Sequence, residues 1–110
     1  MIEKTYNFSF SEEKTIERIM EDENAAINHV VLPFKESLPE HVSNSNVYLI
    51  ILRGNLSLIL EDQEEKSYKA GKVIKVPFKT KMTIVNKGRE ILEFFIVKSP
   101  SPKKMAEGTR

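Results

Sequence analysis

His29 and His41 are the only imidazoles in this 110-residue chain, and it has no cysteine. A histidine is the side chain best suited to move a proton or hold a transition metal near neutral pH, so chemistry here starts from these two positions. The lack of cysteine removes disulfides, thiolate metal sites and thiol nucleophiles, and favours a cytoplasmic location. Met82 with His41 would pair a thioether with an imidazole, a soft donor set that suits copper(I), although methionine more often fills apolar gaps. Lys72, Lys75, Lys79 and Lys81 form a basic stretch, with Arg53 upstream. Turned toward a cavity, Lys79, Lys81 or Arg53 would hold an anionic small molecule; turned outward they are a solvated hairpin surface. Tyr48 sits in an apolar run, where its hydroxyl can reach a guest or its ring can pack. Glu61, Asp62, Glu64 and Glu65 gather in a polar tip rather than as an opposed acid and base pair. The sequence holds neither a nucleophile motif nor a glycine-rich phosphate loop.

These residues must be positioned by strands. Tyr6 to Phe10 alternates aromatic and polar side chains with period two, the pattern of an edge strand with one buried face. Ser11 to Asp22 has a capping signal for a helix, but Thr15, Ile16 and Ile19 favour a strand. Ala26 to Leu32 is apolar and ends at Pro33. Val47 to Leu52 is apolar on both faces, and Gly54-Asn55 supplies a turn into Leu56 to Leu60, which predicts a hairpin. Val73 to Val76, Met82 to Val85 and Ile91 to Val97 complete the set. So many short strands with no confident helix predict an all-β antiparallel sandwich or barrel. The length suits one domain: residues 1–98, of which 1–25 give N-terminal strands and 26–98 the core, with 99–110 a flexible C-terminal tail.

Two spacings carry a resemblance. One motif of the cupin family runs Gly, five residues, His, one residue, His, three or four residues, Glu, six residues, Gly. This chain has Lys35, His41, Ser43, Val47 and Gly54 there. The second runs Gly, five residues, Pro, one residue, Gly, two residues, His, three residues, Asn, and the chain has Gly71, Pro77, Lys79, Met82 and Asn86. Sixteen residues separate Gly54 from Gly71, an interval such proteins allow. The chain therefore resembles a small cupin, which implies a single antiparallel jelly-roll β-barrel. In that family two histidines, a glutamate and a further histidine hold a divalent transition metal; here only His41 survives, with Ser43, Val47 and Met82 at the other positions. The resemblance thus implies a non-catalytic, small-molecule-binding domain with no cofactor, in which His41, Ser43, Asn46, Tyr48, Lys81 and Met82 would line the guest site. The alternative is a metal-dependent isomerase or dioxygenase using His41 and a weakly bound divalent ion.

Composition narrows the partners. A net charge of +1 gives no general attraction to nucleic acid. The longest apolar run, Val47 to Leu52, falls far short of the ~20 residues of a membrane span. Residues 1–55 carry net −4 and residues 56–110 net +5. Because Val47 to Leu52 and Phe94 to Val97 offer apolar side chains to both faces, an isolated barrel would expose an apolar patch, and a homodimer is expected to cover it.

Overall fold

A computed structural model describes residues 1–108. The strands are β1 (Thr15–Glu21), β2 (Ala26–Leu32), β3 (His41–Val42), β4 (Val47–Arg53), β5 (Asn55–Leu60), β6 (Lys66–Lys69), β7 (Val73–Val76), β8 (Lys81–Val85) and β9 (Leu92–Lys98). They form two antiparallel sheets, β1-β2-β9-β4-β7 and β3-β8-β5-β6. The all-β jelly-roll expectation is met by two facing sheets rather than one continuous hydrogen-bonded ring.

The alternation of each strand builds the core. Val47, Leu49 and Ile51 of β4 and Leu92, Phe94 and Ile96 of β9 face Leu56 and Leu58 of β5 and Met82 and Ile84 of β8, and all are buried. Burying such side chains is worth about 1.5–3 kcal/mol each. The other parity of the five-stranded sheet, Tyr48 and Ile50 with Phe95 and Val97, looks outward. Two register shifts adjust that face, one between Arg18 and Met20 and one between Ile51 and Arg53, the second bringing Arg53 opposite Glu93.

Backbone conformation supports the motif register. The four positions where the cupin motifs carry glycine are Lys35, Gly54, Gly71 and Lys79, and each has a left-handed φ, at 74°, 81°, 93° and 65°. Two lysines thus hold a conformation that costs an L-residue about 1–2 kcal/mol. A Cβ on Gly54 would lie 2.3 Å from the Ile91 carbonyl oxygen, so this position needs glycine for space as well. Asn86, fully buried, donates through Nδ2 to the carbonyls of Leu32 (2.7 Å) and Glu90 (2.9 Å) and accepts at Oδ1 from the Gly88 amide. That single side chain ties the ends of three segments.

Three sequence expectations change. Gly54 does not close a hairpin: β4 and β5 belong to different sheets, and the left-handed turn carries the chain across the sandwich. Within residues 1–25 there is one strand, β1; Tyr6 to Phe10 joins no ladder, because its aromatic side chains lie over the outer sheet face instead. Of the expected flexible tail over 99–110, residues 109–110 lie outside the described residues and the rest includes regular structure. Pro102–Gly108 is a short helix, α1, and Ser101, buried, accepts through its hydroxyl from the Lys104 amide at its start. Among the described residues no helix is long and apolar enough to cross a membrane.

Candidate functional site

At the mouth expected from the motifs, His41 and Met82 are directly opposed on β3 and β8 and share a face. Met82 is fully buried in the apolar core, while half-buried His41 holds the Pro39 carbonyl through Nδ1 at 3.0 Å. Ser43 is buried too. Its hydroxyl donates to the Pro77 carbonyl (2.6 Å) and accepts from the Thr80 amide (2.9 Å), fastening the loop before β8. Asn46 accepts from the Phe78 amide at 3.3 Å. Lys81 pairs with Val42 and so faces away from Met82, with its amide on Glu61 Oε2. Tyr48 lies on the outward parity of the other sheet, with Lys75 Nζ 5.9 Å from its ring. The structure therefore brings together His41 and Met82 but spreads Ser43, Asn46, Tyr48 and Lys81 over separate structural duties.

This donor set does not fit the family's usual metal. Val47 has no donor atom, Met82 offers only a thioether, and the oxygen of Ser43 is already engaged. A divalent transition metal needs imidazole and carboxylate ligands converging on one point. Among the described residues no group of three or more histidines or carboxylates is arranged to hold one.

The polar cluster lies elsewhere, on the outer face of the five-stranded sheet. His29 is 0% exposed, on β2, between Glu17 of β1 and Glu93 of β9. Its Nδ1 is 2.8 Å from Glu17 Oε1 and its Nε2 is 2.6 Å from Glu93 Oε2. Two nitrogens facing two carboxylates require two protons among the three groups. The carboxylates lie on opposite edges of the ring, so they do not converge on a common ion. Glu93 also accepts from Arg53 Nε (3.0 Å), and Arg53 reaches the Ser11 carbonyl and Glu12. Burial works against the Arg53 charge, but hydrogen bonding and attraction from Glu12 and then Glu93 outweigh it and hold its pKa above the usual value. Glu17 accepts from both the amide and the hydroxyl of Ser9. The Ser9 amide chiefly, and then His29, hold the Glu17 carboxyl below its usual pKa.

This network pins residues 9–12 and so holds the preceding arm across the sheet. The Phe8 ring stands 4.9 Å from His29 and, edge-on, 4.9 Å from Phe95. Beside it runs an apolar groove of about 310 Å3, walled by Tyr6, Phe8, Ile27, Ile50, Phe95 and Val97, with Ile19 and Met20 at the β1 bulge. A hollow of about 250 Å3 between Phe10, Glu12, Arg53 and Glu93 adjoins the ion network. A third hollow, of about 460 Å3, opens between Glu21 to Glu23 and α1, where acids and lysines interleave. Sequence reading missed the network because its members come from four strands; the available signal was one histidine inside the apolar run Ala26 to Leu32.

Two facing antiparallel sheets, the left-handed motif turns and the buried Asn86 staple define a double-stranded β-helix of the cupin type. The comparisons agree. No family model matches the chain. An uncharacterised protein of Methanocaldococcus jannaschii is 50% identical over 106 residues, covering 96% of this chain and 91% of that one. A crystal structure of an RmlC-like cupin family protein from the same organism superposes with TM-score 0.93 at 50% identity, over 96% of this chain and 98% of that one. An RmlC-like cupin of Desulfovibrio desulfuricans shares the fold at TM-score 0.76 and 17% identity, over 90% and 98% of the two chains. A putative mannose-6-phosphate isomerase of Ralstonia eutropha shares it at 0.67 and 13%, over 81% and 86%. The chain belongs to the RmlC-like cupin family.

Proposed function

We propose that this cupin is a non-catalytic binding domain that works without a metal and takes a small apolar molecule in the groove between its N-terminal arm and its outer sheet face. The observation that carries this reading is the reversal of the expected polarity. The interior is packed with Leu49, Ile51, Met82 and Phe94, whereas the outside holds an apolar groove of about 310 Å3. That volume is at the lower end of small-molecule sites, which are mostly apolar. The charges beside it are satisfied by one another, so the groove selects for apolar bulk rather than for a charged group. An isomerase or dioxygenase mechanism would need metal donors that Ser43, Val47 and Met82 do not supply.

The test uses the uncharged fluorophore N-phenyl-1-naphthylamine as the probe, with elemental analysis of the same purified protein. The expected result is well under one equivalent of transition metal and saturable fluorescence enhancement that survives chelator. Met20→Glu should weaken it at least about tenfold, equivalent to ~1.4 kcal/mol. Stoichiometric metal lost on His41→Ala, or probe binding indifferent to Met20→Glu, overturns the reading.

A further inference from the structure

We propose that Lys98, Arg18 and Asn28 form a binding site for a small oxyanion, a carboxylate or a phosphate, on the inner face of the five-stranded sheet where that face runs out beyond the core. This face lies on the other side of the sheet from the apolar groove, and its occupancy is independent of any guest there. The register places the three residues together. Lys98 on β9 has the parity of Leu92, Phe94 and Ile96, so it points to the inner side, between Ala26 of β2 and Val47 of β4, both buried. One row along, Ile96 is opposite Asn28, and Asn28 is opposite Arg18 of β1. The bulge between Arg18 and Met20 then returns Glu21 to the same face, opposite Ala26. Without that shift Arg18 and Glu21, three residues apart, would point to opposite faces.

The core stops short of this shelf. In the row of Ile16, Val30 and Phe94, the last two are fully buried, but Ile16 on β1 is 57% exposed. The four-stranded sheet therefore does not reach across β1, and the inner face there is open to a solute. Arg18 and Lys98 sit two strands and two residues apart, roughly 12 Å between Cα atoms, with Asn28 on the strand between them.

The charges on the shelf do not balance. Arg18 Nη1 is 3.5 Å from Glu21 Oε1 and is largely in water. Half-buried Lys98 has no carboxylate or other acceptor on its ammonium among the described residues. Burial first, and then Arg18, hold its pKa below the ordinary value, and Glu21 pulls back only in part. Two cations and one carboxylate leave one positive charge uncompensated, where a charge drawn out of water is normally paired. The side-chain amide of Asn28, also half-buried, is likewise without a partner among the described residues. One oxyanion answers all three: it accepts from the ammonium, from the guanidinium fork and from the Asn28 amide N–H group. A neutral or cationic solute would leave the excess charge in place.

Heteronuclear NMR of the full chain at constant ionic strength tests this, with inorganic phosphate and acetate as separate probes. The expected result is saturable displacement of the Lys98 Cε and Asn28 side-chain signals by at least one of them, with a dissociation constant on the order of 1 mM. The Lys98 titration midpoint should move up when the anion is bound, because an opposite charge favours the ammonium form. Lys98→Met and Arg18→Gln should each weaken binding at least about tenfold, while Lys69→Met, which removes an exposed lysine of β6, should not. If Arg18→Gln unsettles the edge strand β1, Lys98→Met decides, since it removes only an unpaired charge. Saturation by phosphate alone supports a phosphate ester as the natural ligand, and saturation by acetate supports a carboxylate. Absence of saturation by roughly 50 mM of either anion, binding indifferent to Lys98→Met, or a Lys98 midpoint unmoved by the bound anion overturns the proposal.

Discussion

Replacing Glu93 by leucine removes the acceptor shared by His29 and Arg53, and the structure sets how much that should cost. Arg53 is 39% exposed and keeps Glu12 and the Ser11 carbonyl, so water makes good most of its loss, below about 1 kcal/mol. His29 has no such recourse. It is fully buried, and its Nε2 would face leucine where Glu93 Oε2 stood at 2.6 Å. An orphaned buried donor costs about 1–3 kcal/mol, and a broken buried ion pair about 3–5 kcal/mol. A loss of about 3 kcal/mol is expected, and at about 4–8 °C per kcal/mol for a domain of this size the melting temperature should fall by roughly 12–24 °C. Glu93→Gln keeps an acceptor oxygen and should cost about 1 kcal/mol. Combining Glu93→Leu with Glu17→Leu and His29→Phe removes the buried imidazole together with both its carboxylates, leaving only Ser9 and the part-exposed Arg53 to be met by water, and should recover most of the loss. The assay is urea unfolding followed by circular dichroism at one fixed protein concentration, since any self-association makes stability depend on concentration. A Glu93→Leu protein within about 0.5 kcal/mol of the parent would refute the reasoning, because it would mean that the buried nitrogen did not depend on this carboxylate.

Two further outcomes follow from the turns and the arm. Gly54→Ala should destabilise by more than about 3 kcal/mol because its Cβ meets the Ile91 carbonyl, Gly71→Ala should cost only about 1 kcal/mol of left-handed strain, and Lys79→Gly should stabilise by up to about 1 kcal/mol, all read as melting temperatures. The folded-state pKa of Glu17 lies below its ordinary value, so its stabilising contribution is present above that ordinary value and is lost as pH falls through the folded one. Urea midpoints of the parent and Glu17→Gln should therefore differ at neutral pH and converge in acid; a constant gap would show that the carboxylate's charge plays no part.

The parts legible in sequence are those set by local rules. Pro33 and Pro77 end their strands, and Gly54, Gly71 and Asn86 mark turns whose backbone needs are local. In β4 and β9 both faces are apolar, so the sequence left open which parity points inward; the structure puts Val47, Leu49, Ile51, Leu92, Phe94 and Ile96 there. Residues acting across the sheets were not legible. Glu17, His29, Arg53 and Glu93 meet only because β9 lies between β2 and β4, a neighbour relation that no sequence period encodes. Ser43 was read as lining a guest site from its motif position, whereas its hydroxyl is taken by Pro77 and Thr80. Tyr6 to Phe10 has the period of a strand, but period alone does not say whether its backbone finds a ladder.

The position of β9 also bears on how the chain folds as it is made. Its partners β2 and β4 do not touch each other in the sheet order, and β9 is the last strand among the described residues. Until synthesis has passed Lys98, the five-stranded sheet is at most two separate antiparallel pairs, β1 with β2 and β4 with β7, each with an open edge. Isolated two-stranded pairs are marginal in water, and closing such distant contacts is slow. The five-stranded sheet should therefore close only once β9 has emerged, with the aggregation hazard concentrated in the interval before that strand is released.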